Sequence, residues 1–490
     1  MPPGSGCLSH VRVAPGGRYF VTEEGVPLLV IGHNDAMPWP GLSPLREERT
    51  EAAGEDYLRM LAEHGVTVLR VMLEYGSDDW LFEDPAGCPR PEAVRYWDCL
   101  IRLCERWGVR LLVVFWDTYH LYREWERHPY GRPGCGLGRP EDFCTSPAAI
   151  EAQKRRIRFF VDRWGGSPAV FGYDLLNELF PGWGGSPQDQ HRWVADLAAF
   201  TKACELERWG RRHLVTVSPF GGIPTEEYRE IFFRHPELDF ASPHVYAFGS
   251  IDNPENTIEC ALTVREAVRF GLAQMAEPRP YLDSENGPIH LFLDHGRCLP
   301  EAFDDEYFHN MSWAHLASGG AGGGMRWPFR HPHGLTSGMH AAQRAMARFA
   351  PALDWASFEA GALELDMGVL PRGAVNSYGS RPLPVIPFGC ADRRQALVWL
   401  LRDLRVLAAE APLPPAELRL EGLAPGLYRA AFWNTYAGVD AGEHLFAVDG
   451  GGEARVPLPN LVRDLAIAIR ARPGEEGAYG SGETDAGSPR

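Results

Sequence analysis

One pattern of apolar and polar positions recurs along the first two-thirds of the chain. An amphipathic stretch ends in glycine, and a short, nearly continuous apolar run follows. "YLRMLAEHGVTVLRVML" (57–73) has this form, with Gly65 placed to cap a helix. "YWDCLIRLCERWGVRLLVVFWD" (96–117) repeats it with Gly108. Pro91 suits the first turn of that second helix. Ser146-Pro147 reads as the N-cap and first position of another helix, running to about Trp164, whose residues Ile150, Ile157, Phe160, Val161 and Trp164 share one face.

Eight apolar runs read as strands: 27–34, 66–73, 109–117, 170–178, 214–220, 238–246, 280–287 and 322–329. Helical patterns separate each from the next. Alternating strands and helices predict a parallel sheet, and strands that are apolar throughout predict helices on both faces or all around. Eight such units fit a (β/α)8 TIM barrel with enlarged loops. An open doubly wound sheet is the rival, but no Gly-rich phosphate loop follows the first strand. Ahead of the barrel, "GRYFVTEEGVPLLVIG" reads as a hairpin turning at Glu24-Gly25. After about Leu353 the texture changes to short runs between Gly and Pro turns, such as "QALVWLLRD" and "ELRLEGLAPGLYRAAFWNT". That predicts a smaller all-β sandwich. The expected organisation is a barrel with its hairpin over 1–352, a sandwich over 353–472, and a polar, disordered tail over 473–490.

Composition narrows the function. A formal net charge of −17 argues against a nucleic-acid backbone or an anionic membrane as partner. No apolar run approaches membrane-spanning length, and the start "MPPGSGCLSHVRV" lacks the pattern of a signal peptide, so a cytoplasmic protein is expected, or a secreted one if the chain was trimmed. Ten cysteines in 490 residues are not a disulfide framework. Cys99, Cys104, Cys204 and Cys260 fall in helical patterns, while Cys135 and Cys144 share one loop and are candidates to pair.

In a (β/α)8 barrel the chemistry lies at the C-terminal ends of the strands. Read in order, those ends carry His33, Asn34 and Asp35; Arg70 and Glu74; Trp116, Asp117 and His120; Asn177 and Glu178; His244 and Tyr246; Asp283, Glu285 and Asn286; and Trp327. Glu178 and Glu285 come from strands four and seven, facing each other across the barrel mouth. Two opposed carboxylates suit glycoside hydrolysis, one protonating the leaving oxygen and the other attacking or activating water. Aromatic side chains offer flat apolar faces to sugar rings. Each residue also has a structural reading: Arg70 as an ion-pair partner, His244 as a core histidine, Asp174 as a structural carboxylate, Trp327 as core. Asp283, two residues before Glu285, is a rival nucleophile. "RHPHG" sets His331 and His333 two apart, without the spacing of a zinc site, and no metal or other cofactor is expected.

The set Arg70, Asn177-Glu178, His244-x-Tyr246, Glu285 and Trp327, in this order, resembles the clan A retaining glycoside hydrolases, and within them family 5, with its cellulases and mannanases. "FVTEEGVPLLVIGHN" and "FCTSPAAIEAQKRRIRFFVDRWGGSPAVFGYDLLNEL" resemble the mannanase-type branch. The resemblance covers roughly residues 15–350. It implies an O-glycosyl hydrolase acting on β-linked oligo- or polysaccharides, of mannan or glucan type, by double displacement. Glu178 would be the acid/base and Glu285 the nucleophile. Asn177 would bond the sugar 2-hydroxyl, Arg70 and Tyr246 would hold Glu285 ionised, His244 would lie near Glu178, and Trp327 would floor the site. The family usually has a His at the end of strand three; here Trp116, Asp117 and His120 are the candidates for that substrate-facing place. An inactive carbohydrate-binding or scaffolding barrel and a metal-dependent barrel hydrolase are the alternatives. The sandwich resembles the β-domains appended to such barrels and is expected to buttress rather than bind.

Overall fold

The computed structural model describes residues 8–75, 80–132, 135, 137–181, 183–289, 298–328, 332–361, 365–372, 383–406 and 413–472. The expected tail 473–490, and most of the long loop expected after strand seven, lie outside these residues. The chain opens with three short antiparallel strands, β1 (Val11–Val13), β2 (Phe20–Thr22) and β3 (Pro27–Leu28). The hairpin between β2 and β3 turns through Gly25 at φ 84°.

The barrel strands and helices then alternate. In chain order they are β4 (Val30–Asp35), α1 (Glu51–Glu63), β5 (Val68–Met72), α2 (Pro91–Trp107), β6 (Arg110–Val114), α3 (Thr118–Arg123), α4 (Pro147–Trp164), β7 (Val170–Asp174), α5 (Pro187–Trp209), β8 (Leu214–Thr216), α6 (Glu226–Phe232), β9 (His244–Phe248), α7 (Thr257–Gln274), β10 (Glu285–Ile289), α8 (Glu301–Ala317), β11 (Gly322–Arg326) and α9 (Ser337–Phe349). The eight strands β4 to β11 form one parallel sheet in the spatial order β8-β7-β6-β5-β4-β11-β10-β9. The residues ahead of β9 bring its end round to β8. Asp239 N–H donates to Val215 O at 2.8 Å, and its carboxylate accepts from Val215 N–H at 2.8 Å. Helix ends obey local chemistry: α2 stops at Gly108 in the left-handed region (φ 76°), and α5 starts with a Ser186/Asp189 capping box. Ser146 precedes α4, with Pro147 at its first position, although the serine hydroxyl makes no capping bond.

Strands six and seven depart from expectation. Regular pairing of β9 with β10 begins at His244 and Glu285 and runs on to Phe248 and Ile289. Pro243 and Pro280 have no N–H to give a ladder. The residues before the ladder join through one bridge, Ala241 with Tyr281, and through Leu282 N–H to Ala241 O at 2.9 Å. Glu285 therefore opens the regular part of its strand instead of ending it, while remaining at the barrel mouth. Cys135 and Cys144 are both free thiols, so the candidate disulfide is not formed. Among the described residues no helix is long and apolar enough to cross a membrane.

Among the described residues, the C-terminal part holds eight strands: β12 (Asp366–Pro371), β13 (Val385–Ala391), β14 (Gln395–Arg402), β15 (Ala416–Glu421), β16 (Gly426–Asn434), β17 (Val439–Val448), β18 (Glu453–Pro457) and β19 (Asp464–Ala471). They make a three-stranded sheet, β12-β15-β18, and a five-stranded one, β13-β14-β19-β16-β17. Every residue of β14 is buried, and alternate positions go to different cores. Leu397, Trp399 and Leu401 join the core that includes the barrel, whereas Ala396, Val398 and Leu400 pack toward the three-stranded sheet. Asp464 clamps the junction from β19: it accepts from Trp399 Nε1 at 2.9 Å and lies 2.6 Å from His309 Nε2 on α8.

This shared core makes the sandwich part of the barrel's stability. Trp399→Ala is expected to cost about 3–5 kcal/mol of unfolding free energy in urea titrations. A chain ending after Ala350 is expected to be insoluble. A soluble, fully active 1–350 fragment would contradict the second expectation, and an unchanged urea midpoint for Trp399→Ala the first.

Candidate active site

Arg70 organises the barrel mouth from β5, where it is 1% exposed. A buried guanidinium needs its N–H groups and its charge satisfied. Nη1 donates to Glu285 Oε2 and to Asn34 Oδ1, both at 2.9 Å. Nη2 donates to Asp174 Oδ2 at 2.9 Å and to Asn177 Oδ1 at 2.6 Å. Asn34 is held in turn by the carbonyls of Ser284 and Met325, each at 3.0 Å. Thus four strands, β4, β5, β7 and β10, are pinned to one cation. Tyr246, on β9, donates to the other oxygen of Glu285 at 2.5 Å. Asp283 is deeper, with no exposed surface; its carboxylate accepts from Asn286 Nδ2 at 3.0 Å.

Glu178 follows β7 by four residues and has φ 55°, the one non-glycine residue with positive φ among those described. A left-handed backbone at a long side chain is disfavoured and persists only where the surroundings enforce it. Ser218 does so: its hydroxyl accepts from Glu178 N–H at 3.2 Å and donates to Asp174 Oδ2 at 2.9 Å. This turn aims the carboxyl at His244, whose Nδ1 lies 2.9 Å from Glu178 Oε1 and 3.9 Å from Glu285 Oε2. A donor atom from each of Glu178, His244 and Glu285 falls within 4.8 Å of the others.

Electrostatics separates the two carboxyls. Burial pushes Glu178 well above the ordinary carboxylic range, and repulsion from Glu285 adds to it. Burial raises Glu285 as well, but the Arg70 charge and the Tyr246 hydrogen bond pull it back. When the pair holds one proton, that proton therefore belongs on Glu178. Burial, then the Arg70 charge, keeps His244 neutral. Burial, then Glu285, raises the Tyr246 phenol, which stays protonated and able to donate.

Most of the predicted residues meet here: Arg70, Asn177, Glu178, His244, Tyr246, Glu285 and Asp117, with Trp327 lining the same pocket as both carboxylates. Asn177 gives one Nδ2 hydrogen to Asp117 Oδ1 at 2.8 Å, which leaves its second for a ligand. Asp117 also caps α3, accepting from Tyr119 N–H and His120 N–H. Of the three candidates at the end of strand three, it is the one joined to the constellation.

Trp116 and His120 are corrections. Trp116 is 1% exposed and packs against Tyr130, Phe143 and the guanidinium of Arg156, leaving no face for a substrate. It alternates with Asp117 along the chain and so points away from the mouth. His120 is 2% exposed and turns toward His128 and Glu74, with Nδ1 3.9 Å from Glu74 Oε1. Glu74, His120 and His128 bring three donor atoms within 4.8 Å, a set that suits zinc by chemistry. Arg156 already sits 3.2 Å from both oxygens of Glu74 and 3.2 Å from Glu83. Burial pushes Glu74 up, but Arg156 and the imidazoles override it and hold it well below its usual range, so the cluster is an ion-pair network built around a guanidinium. Of the RHPHG pair, His331 lies outside the described residues, while His333 stacks on Trp39 and bonds Pro328 O.

The strand-end reading includes Asn34 but gives it no role, and it passes over Ser218 and Trp39. Trp39 stands edge-on to Trp327 at 4.9 Å, extending the aromatic wall. Ser218 was readable only as one polar residue inside the apolar run 214–220. Its use depends on the Glu178 turn, which no periodicity reveals.

No family model matches the chain. It is 22% identical over 275 residues to Probable mannan endo-1,4-beta-mannosidase F of Aspergillus flavus, covering 48% of this chain and 54% of that protein. It is 26% identical over 163 residues to mannan endo-1,4-beta-mannosidase A of Aspergillus aculeatus, covering 30% and 41%. The chain thus spans about half the length, or less, of the curated relatives it matches. A glycoside hydrolase family 5 structure from Bacteroides vulgatus superposes with a TM-score of 0.57 at 15% identity, covering 94% of this chain and 93% of that one. A second solved glycoside hydrolase gives 0.57 at 15% identity, over 95% and 97%. Barrel and β-domain are both inside those spans, and the chain resembles mannan endo-1,4-beta-mannosidases in sequence and family 5 glycoside hydrolases in fold.

Proposed function

We propose that the chain is a retaining β-glycosidase acting on mannan-type β-linked saccharides. The observation that carries this is the asymmetric carboxyl pair. One oxygen of Glu178 and one of Glu285 lie within 4.8 Å of each other, the first carboxyl favoured to hold a proton and the second tied to Arg70 and Tyr246. Retaining enzymes hold their carboxyls about 5–5.5 Å apart, and inverting ones about 6.5–9.5 Å to admit a water. The short spacing favours double displacement.

In the first step a Glu285 oxygen bonds the anomeric carbon as the glycosidic C–O bond breaks. Glu178 gives its proton to the departing oxygen. In the second, the Glu178 carboxylate takes a proton from water, the water oxygen bonds the anomeric carbon, and Glu285 leaves as carboxylate. The free hydrogen of Asn177 suits the sugar 2-hydroxyl, and the Trp327 ring suits the sugar face. The mannan-type substrate rests on the names of the relatives in sequence.

A 2-deoxy-2-fluoro β-mannoside with a good leaving group is expected to leave a covalent adduct on Glu285, found by peptide mass mapping. An adduct on Asp283 would overturn the assignment. Absence of any adduct or hydrolysis across mannan-, glucan- and galactan-derived oligosaccharides would favour an inactive binding barrel.

A further inference from the structure

The barrel mouth is polar on one side of the carboxyl pair and apolar on the other. Asn34, Arg70, Asp117 and Asn177 come from β4, β5 and the ends of β6 and β7. They offer the donors and acceptors that a hydroxylated ring needs. The opposite wall comes from the segment after β8, from β9 and from α7. A pocket of about 290 Å³ there is lined by both carboxylates together with Phe220, Ile223, Val245, Phe248, Ala267 and Ile289.

Exposed apolar side chains are concentrated here. Eleven large hydrophobic residues are exposed among those described, and four of them, Tyr119 (63%), Phe220 (43%), Ile223 (50%) and Phe248 (56%), line this one pocket. Single exposed apolar residues need no explanation, but a cluster beside a reactive group marks a binding surface. The loop that carries the patch is fixed in place: a Cβ on Gly222 would come within 3.0 Å of Ala267 Cβ and Val245 Cγ2, so this backbone packs directly against α7 and β9.

We infer that this pocket holds the leaving group, and that it favours an alkyl or aryl aglycone over a second sugar, so that among β-mannosides those with an apolar aglycone are the better substrates. The inference rests on the glycosidase reading, because Glu178 must face the departing oxygen and whatever that oxygen carries. Beyond Glu178, Glu285 and Tyr246, the polar side chains on the pocket wall among the described residues are Tyr119, Thr263 and Glu266, with the Trp327 ring on the side shared with the sugar. A sugar ring placed there would turn most of its hydroxyls onto Ile223, Val245, Phe248 and Ala267, where they lose their bonds to water without replacement. An apolar chain loses nothing and gains burial. The volume sits at the lower end for ligand pockets, about 300–1,000 Å³, which suits a short alkyl chain or one aromatic ring.

The test is a series of ethyl, butyl and hexyl β-mannosides alongside mannobiose, with kcat/KM as the readout. The three alcohols are nearly equal as leaving groups, so differences along the series report binding of the chain in the transition state. A rise of at least about tenfold from ethyl to hexyl is expected, four methylenes being worth that much even when only partly buried. Hexyl mannoside is also expected to exceed mannobiose. Ile223→Ser and Phe248→Ser each should bring the hexyl-to-ethyl ratio toward one; both side chains are half-exposed, and thermal melts will show whether folding is kept. A flat series in the wild-type protein, or mannobiose cleaved faster than the hexyl glycoside, overturns the aglycone assignment while leaving the glycosidase reading intact. No cleavage of any glycoside in the set overturns both.

Discussion

Glu285→Ala is expected to abolish turnover of every β-glycoside, activated ones included. Loss of a covalent nucleophile typically costs about 10⁴–10⁶-fold in kcat. An activated leaving group does not help, because the missing event is bond formation at the anomeric carbon. The fold should survive: Arg70 keeps Asp174, Asn34 and Asn177 as partners. Azide should enter the vacated space and restore cleavage of dinitrophenyl glycosides. A single displacement inverts the centre, so the product should be the α-azide. Proton NMR of that product is the check. If instead Glu285→Ala is active and Asp283→Ala is dead, the nucleophile has been misassigned.

Glu178→Gln is expected to separate substrates by leaving group. Natural saccharides need a proton on the departing oxygen and should slow by about 10²–10⁴-fold. Dinitrophenolate leaves without one, so the first step should stay fast, the second should become slow, and a burst of phenolate should precede the steady state. The pH profile carries the same assignment. Glu178 works protonated, and its pKa is raised, so the active form persists to higher pH than for an ordinary carboxyl. Activity is then lost on the alkaline side as Glu178 ionises, and on the acid side as Glu285 takes a proton. Glutamine cannot ionise, so the alkaline limb of kcat/KM that the wild type shows on natural saccharides should be absent from the variant's residual activity, while the acid limb stays. Equal loss on both substrate classes, with both limbs intact, would move the acid role to another carboxyl.

The barrel was legible because its signal is redundant. Eight apolar runs, most of them preceded by an amphipathic stretch and several by a glycine stop, agree with one another even where single boundaries are off. The boundaries of strands six and seven were misread because the apolar residues of "LDFASPHVY" and "PYLDSENG" lie mostly ahead of the regular ladder, which starts only at His244 and Glu285, past Pro243 and Pro280. In the site, Arg70, Glu178, Tyr246 and Glu285 stood out as polar groups in apolar surroundings. Trp116 and His120 did so equally well and face elsewhere. Polarity at a strand end says that a partner is needed, not which one: His120 finds Glu74 and His128 rather than the mouth. Ser218 and Asn34 gave the weakest signal because their roles are to hold other site residues in place.

The five-stranded sheet also bears on how such a protein is inherited. A division at residue 352 looks like a seam at which barrel and sandwich were joined as interchangeable parts. Yet alternate residues of β14 belong to different cores, and Asp464 of the last strand bonds His309 on a barrel helix. Moving the sandwich to another barrel would bring Trp399 without the surface that covers it. Recombination at that seam is therefore disfavoured, and substitutions on the outer face of α8 should be tolerated only alongside matching ones on β14 and β19. Two folds that share a core in this way would have to change together.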